Sequence, residues 1–309
     1  MNVMQETSLN NKKILVTGGS GFLGKRLKSF YPNWIYISSS QFDLKDGNQT
    51  DNCIAFYKPD AVIHLASKVG GIKYNVENQA SIYLENTLIN ANILNSCKKF
   101  QVKRVLSCLS TCAFPNVLNS YPFDEKEILN GAPPPTNEAY AETKRGLYIY
   151  SNALREQYGL NYSCFTPCNL FGPEDHFGSE NSHFIASLID KVYKCDNGDV
   201  LEFWGTGKAY RQHLYVDDLC KIIPILLDRH NTNLPIIVAP DENLSIEEIL
   251  QIAKGVLPKH FVYKFNNKLE GQIRKDGSNA ELKKLISKIE FTSFKDGLLK
   301  TYNWYTNKS

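Results

Sequence analysis

Tyr140 and Lys144 stand four residues apart in Tyr140-Ala141-Glu142-Thr143-Lys144, a spacing that puts both side chains on one face of a helix. A phenol ordinarily titrates at about pH 10 and is a poor acid–base catalyst at neutrality. A neighbouring ammonium favours the ionised form, so the pair predicts a phenol whose pKa is lowered enough to move a proton. Upstream, Leu109-Ser110-Thr111-Cys112 offers the Ser110 hydroxyl just beyond an apolar run. Earlier still comes a glycine turn, Thr17-Gly18-Gly19-Ser20-Gly21-Phe22-Leu23-Gly24. Glycine turn, Ser110 and Tyr140/Lys144, in that order, make a Ser–Tyr–Lys site for hydride transfer.

The glycine turn lies between an apolar run and a helical pattern. Glycines 18, 21 and 24 let the backbone turn tightly, approach a pyrophosphate and pack the helix on a sheet, while the helix start offers free N–H groups. This predicts a dinucleotide site. An NAD site places an acid at the end of the second strand, about 20 residues on, to accept from the ribose 2′-hydroxyl. Here that strand runs out into Ser38-Ser39-Ser40-Gln41, neutral donors with no repelling carboxylate. Asp43, followed by Leu44, lies several residues past the strand end, too far along for the ribose. Lys25 and Arg26 add positive charge after the turn. The prediction is NADPH.

These residues need a scaffold, and the apolar runs describe one. Strands are predicted at 14–16, 34–37, 61–66, 104–107 and 162–166, with helices from about 22, over 82–98 and over 139–158. Alternating strands and helices joined by short loops mean an α/β fold with a doubly wound parallel sheet of Rossmann type. Ligands then lie beyond the carboxyl ends of the strands. After Gly172-Pro173 the pattern loosens, with helices over 184–193, 246–256 and 280–286. The expected division is a dinucleotide-binding domain of 1–171 plus about 212–242, which includes one return to the sheet, and a smaller lobe of about 172–211 plus 243–309. Two lobes imply a cleft.

Composition excludes several classes. The 309 residues are 42% hydrophobic, enough for a real core, and carry 35 Lys+Arg against 32 Asp+Glu. A net charge of +3 with no basic run is no footprint for nucleic acid. No apolar stretch approaches the roughly 18 residues of a membrane span, and residues 1–7 lack the basic and apolar regions of a signal peptide. The eight cysteines are scattered, with no CxxC pair and no metal-like cluster, which suits reduced thiols in the cytoplasm.

With these residues in place the chain resembles the extended short-chain dehydrogenase/reductases, and within them the epimerase–reductases of GDP-4-keto-6-deoxy-D-mannose. The likeness runs from Lys13 to about Trp304. It is carried by Ala66-Ser67-Lys68-Val69-Gly70-Gly71-Ile72, by Ser107 to Pro115, and by Pro134, Thr136, Asn137 and Glu138 leading into Tyr140. Asn169-Leu170-Phe171-Gly172-Pro173, Asn181-Ser182-His183 and Trp204-Gly205-Thr206-Gly207 running on to Arg211 extend it. The resemblance implies that Cys112 and His183 are the acid and base of epimerisation, with Ser110, Tyr140 and Lys144 serving reduction. For the cofactor it implies Gly18, Ser20, Gly21, Phe22, Leu23, Gly24, Ser38, Ser39, Asp43, Leu44, Leu65, Ala66, Ser67, Tyr140, Lys144, Pro167, Asn169 and Leu170. For a GDP-sugar substrate it implies Val69, Gly70, Asn169, His183, Lys191, Trp204, Arg211 and Lys275. Arg211, Lys191 and Lys275 would meet the diphosphate, Arg211 foremost because a guanidinium fork matches phosphate oxygens. Asn86 would support the active-site backbone, and the helices over 82–98 and 139–158 would pair two copies into a homodimer.

Protons at carbons 3 and 5 flank a ketone at carbon 4, so one carbonyl serves both half-reactions. A reductase acting on an already epimerised GDP-4-keto-hexose or heptose is the rival reading. A 4,6-dehydratase is rejected, because its Asp-Glu pair is replaced by Cys112-Ala113. A non-catalytic NADP-binding regulator need not keep Ser, Tyr and Lys together. Cys108, Cys164, Cys168 and His64 read as core, and His176 as loop.

Overall fold

A computed structural model describes residue 9 and residues 11–178, 182–266 and 272–308. The opening segment 1–7 and Asn181 lie outside the described residues. Six strands form the main sheet: β1 (Ile14–Thr17), β2 (Ile35–Tyr36), β3 (Ala61–His64), β4 (Arg104–Cys108), β5 (Asn161–Pro167) and β6 (Ile236–Val238). Their order is β6-β5-β4-β3-β1-β2 and every neighbouring pair is parallel. Ile14, Leu15, Val16, Val62 and Ile63 are wholly buried, as strands covered on both faces must be. After β2 the chain crosses to the other side of β1, and that reversal opens a crevice at the carboxyl ends of β1 and β3.

Four helices cover the sheet in its first half: α1 (Phe22–Phe30), α2 (Gly47–Tyr57), α3 (Gln79–Lys99) and α4 (Glu138–Tyr158). The sequence pattern does not reveal α2, whose composition is mostly polar. It is started by the Asp46 carboxylate, which accepts the N–H groups of Asn48 and Gln49, and anchored by buried Cys53 and Ile54. Fully buried His64 accepts its expected core role: Nδ1 lies 2.8 Å from Thr17 Oγ1 and Nε2 lies 3.0 Å from Asn90 Oδ1. Asn90 in turn donates to the carbonyl of Thr143 on α4. A buried polar chain thus ties the end of β1 to the helix that carries Tyr140 and Lys144.

The expected return to the sheet is helix Val216–Arg229 followed by β6. Arg104, at the start of β4, donates to the carbonyls of Leu226, Leu227 and His230 and so closes the end of that helix. Strand His213–Tyr215, however, pairs with Asn169–Phe171 in a separate two-stranded unit. A second apolar core gathers Phe171, Ile185, Leu188, Ile249, Phe294 and Leu298. It draws on α5 (Phe184–Lys194) and on helices Ile246–Val256 and Phe294–Lys308. Helix Ala280–Leu285, expected in the smaller lobe, instead sets Leu282 into the first core beside β6. Among the described residues no helix is long and apolar enough to cross a membrane.

Candidate active site

The glycine turn has the shape the spacing predicts. Gly18 holds a left-handed φ of +70°, and a Cβ there would sit 2.9 Å from the backbone nitrogen of Ala66. A Cβ on Gly24 would lie 2.3 Å from the Gly18 carbonyl oxygen, so α1 approaches the turn more closely than any side chain permits. α1 starts at Gly21 with no side chain capping its N–H groups. Phe22 and the buried Leu23 begin it, and Leu65 and Ala66 donate their N–H groups to Thr17 on the facing strand end. At the end of β2, Ser38 and Ser40 hydroxyls are 2.8 Å apart and the Gln41 side chain accepts the Ser38 N–H. Asp43 is turned onto its own loop, where it accepts the Lys45 N–H. Arg26 is not available to a phosphate. Its guanidinium forks onto Asp217 at 2.5 and 2.7 Å.

Where β4 ends, the chain makes a single 3-10 turn over Thr111–Ala113. Ser110 caps it by accepting the Cys112 N–H at 3.2 Å. Two consecutive cations of α4 grip this segment from both sides. Lys144 Nζ donates to the Cys108 carbonyl at 2.9 Å, and Arg145 Nε donates to the Ala113 carbonyl at 2.7 Å. Loop 65–71 is held as firmly. Asn86 Oδ1 accepts from the Lys68 N–H and the Ser67 hydroxyl, and its Nδ2 donates to the Lys68 carbonyl. The loop then presents Val69, 47% exposed, and Gly70, whose N–H donates to Asn75.

The direction of the Tyr140 shift is the reverse of that expected. Burial pushes the phenol well above its ordinary value, charge on Cys112 and Cys108 adds to this, and contacts with the Ser67 and Ser110 hydroxyls pull the other way without prevailing. Lys144 lies with Nζ 5.6 Å from the Tyr140 ring centroid, and burial lowers its own pKa. Helical spacing alone carries no information on desolvation, which here outweighs the attraction. Tyr140 is therefore a protonated donor at neutral pH, the form required to protonate an oxygen that gains charge.

Cys112 departs from the other seven cysteines. Burial pushes it up as it does them, but Lys275, Ser110 and Arg211 together hold the thiol below its ordinary value. Cys53, Cys97, Cys108, Cys164, Cys168, Cys195 and Cys220 are all raised, chiefly by burial. His183 moves the opposite way. Its hydrogen bond to Asp175, with Nδ1 3.3 Å from Oδ1, raises it against the effect of burial, and the Asp175 and Cys112 charges add to the rise. A thiol shifted towards thiolate and an imidazole shifted towards imidazolium thus share one site.

The remaining predicted residues divide. Arg211 reaches the Cys112 end of the cleft, and its Nη1 donates to the Tyr210 carbonyl. Lys275, expected at a diphosphate, lies with Nζ 3.1 Å from Cys112 Sγ. Lys191 Nζ donates to the Glu202 carbonyl at 2.6 Å and sits 4.6 Å from the Phe203 ring centroid. Trp204 is 52% exposed beyond that strand. Asn169 donates to the Gln212 carbonyl, and with Pro167 and Leu170 it follows the end of β5.

The sequence profile of the NAD dependent epimerase/dehydratase family matches residues 14–238. The chain belongs to that family. Among family members, the GDP-L-fucose synthase of Dictyostelium discoideum is 35% identical over 313 residues, covering 98% of this chain and 97% of that one. The probable GDP-L-fucose synthase of Drosophila melanogaster is 33% identical, covering 95% and 97%. A crystal structure of a GDP-L-fucose synthetase from Naegleria fowleri bound to NADP superposes with a TM-score of 0.89 at 32% identity, covering 99% and 98%.

Reading the sequence missed Asp175, Arg145 and Asn75. Asp175 follows the Gly172-Pro173 punctuation, but nothing in the spacing shows that its buried carboxylate turns onto the half-exposed His183 ring. Its second oxygen, Oδ2, is buried with no hydrogen-bond partner among the described residues. The carboxylate favours the protonated ring, so Asp175→Asn must let His183 lose its proton at lower pH. We expect a fall of roughly half a pH unit or more in the imidazole titration followed by NMR. An unchanged midpoint would show that Asp175 does not act on the ring.

Proposed function

We propose that the chain is an NADPH-dependent epimerase–reductase that converts a GDP-4-keto-6-deoxy-mannose-type sugar nucleotide to GDP-L-fucose or a close analogue. The observation that carries this reading is the oppositely tuned pair, Cys112 and His183, beside the buried phenol of Tyr140. A reductase acting on a finished stereocentre has no use for the first two. The Dictyostelium and Drosophila relatives support the product.

The residues present fit the cofactor. The turn at Gly18 and Gly24 leaves no room for side chains where a pyrophosphate must approach, and the serines after β2 offer hydroxyls without a carboxylate. The NADP-bound Naegleria relative supports the same choice. When bound, NADPH supplies the hydride that reduces carbon 4.

The chain's own groups handle the protons. Cys112 as thiolate takes the hydrogen beside the ketone as a proton: the C–H bond breaks, an S–H bond forms and the electron pair moves onto the carbon-4 oxygen. Ser110 and Tyr140 hydroxyls stabilise that oxyanion by donating hydrogen bonds. His183, as imidazolium, returns a proton to the opposite face, completing the inversion. In the reduction Tyr140 gives its proton to the same oxygen. Arg211, Trp204, Asn169 and the Val69–Gly70 loop are assigned to the nucleotide and sugar.

We also propose that two copies pair through α3 and α4. Tyr83, Leu84 and Leu88 on α3 and Ile149 on α4 are exposed, and a hollow of about 320 Å³ between the helices is lined by Thr87, Ala91, Gly146 and Tyr150. Eight unpaired cysteines suit the reducing cytoplasm, which we take as the site of action.

Two measurements test these readings. In deuterated water without NADPH, the 4-keto substrate must take up deuterium at carbons 3 and 5, and Cys112→Ser must slow that exchange by about 10² or more while still reducing an already epimerised substrate. Uptake of no deuterium by the wild type would leave a carbon-4 reductase only. In sedimentation the wild type must run at twice the chain mass and Leu84→Glu/Leu88→Glu at the chain mass; a monomeric wild type contradicts the pairing.

A further inference from the structure

We propose that Lys275 is a catalytic residue whose ammonium meets the Cys112 sulfur and assists that sulfur as the base of the epimerisation. The inference rests on the epimerase reading above and deepens it.

The contact is direct: Lys275 Nζ lies 3.1 Å from Cys112 Sγ, within the range of a hydrogen bond to sulfur. The partners are 163 residues apart in the chain, one on a 3-10 turn and the other on a strand outside the main sheet. Cys112 belongs to the turn after β4. Strand Arg274–Lys275 pairs in parallel with Tyr210–Arg211, and its register sets Lys275 directly opposite Arg211. Residues paired in register share a face, so the two cations project together. The end of this strand is pinned beside β6. The Gly277 N–H donates to Gln212 Oε1, the Phe123 N–H to the Asp276 carbonyl, and the Ser278 N–H to the Phe123 carbonyl. Arg274 on the same strand is taken up by Asp276 through a two-point contact at 2.6 and 2.9 Å. Lys275 is thereby the cation of this strand that meets the sulfur.

The groups facing Cys112 are Lys275 and Arg211 from the two paired strands, Tyr140 from α4, Ser110 from its own turn and His183 at the start of α5. Burial opposes ionisation of the thiol, and the two cations with Ser110 overcome it. Lys275 is in direct contact with the sulfur. A thiolate beside an ammonium accepts the carbon-bound proton and becomes a neutral thiol. The S–H proton then passes to water before the next inversion, and His183, reprotonated from water, delivers the solvent hydrogen that enters the product.

The test reads the thiol without needing turnover. Folded wild type, Lys275→Met and Lys275→Arg are alkylated with iodoacetamide from pH 5 to 10, and modification of Cys112 is followed by peptide mass spectrometry. Cys112→Ser supplies the background from the seven raised cysteines. The midpoint for Lys275→Met must rise by about one pH unit, roughly tenfold slower alkylation at pH 7, and Lys275→Arg must restore most of the loss. A Lys275→Met profile that coincides with wild type overturns the proposal. Deuterium exchange on the same samples keeps the two readings apart: wild type without exchange refutes the epimerase, whereas exchange with unmoved alkylation profiles refutes only the role of Lys275.

Discussion

The last carbonyl of β4, that of Cys108, accepts the buried ammonium of Lys144, and the rest of the site is arranged around that bond. A charge withdrawn from water is tolerated only where it is paired or hydrogen-bonded, so this contact sets how α4 sits against the sheet. Arg145 repeats the device five residues further along the facing segment, at the Ala113 carbonyl. Between these two grips lies the turn that carries Ser110 and Cys112, and one helical turn before Lys144 lies Tyr140. Local structure, packing and chemistry are therefore set by the same two side chains.

Around that anchor the site separates its charges. Tyr140 is desolvated and stays protonated, while Cys112 is desolvated yet held towards thiolate by cations. The difference is a matter of partners: hydroxyls meet the phenol, whereas an ammonium meets the thiol and a guanidinium adds its charge. His183 is driven towards imidazolium by a buried carboxylate from the loop before α5. The turn after β4 and helix α4 supply the hydroxyls and the thiol, and the segments beyond β5 supply the groups that set the charge of the thiol and of the ring. A cleft built from both can hold a sugar between a base and an acid.

Local signals were legible and long-range ones were not. Strands β1, β3, β4 and β5 announce themselves as apolar runs, and the Gly18–Gly24 spacing states its turn because only glycine fits there. The Tyr140/Lys144 pair is visible at helical spacing, but burial, which reverses the direction of the phenol's shift, has no trace in spacing. Arg26 follows the glycine turn and looks available to a phosphate, yet its partner Asp217 stands 191 residues away. The resemblance assigns Lys275 to the diphosphate, and nothing in the sequence shows that its register with Arg211 brings its ammonium to Cys112. α2 is hidden for a different reason: two buried apolar residues in eleven leave almost no periodicity.

The account stands or falls on where a carbonyl and the nicotinamide meet the phenol of Tyr140. A crystal structure of the chain with NADP and a GDP-hexose decides it. We expect the Tyr140 hydroxyl about 3 Å from the carbon-4 oxygen of the sugar, with carbon 4 itself roughly 3.5 Å from the nicotinamide ring. A nicotinamide ring turned away from Tyr140, or a sugar whose carbon 4 faces Lys191 and Phe203 instead, would contradict it.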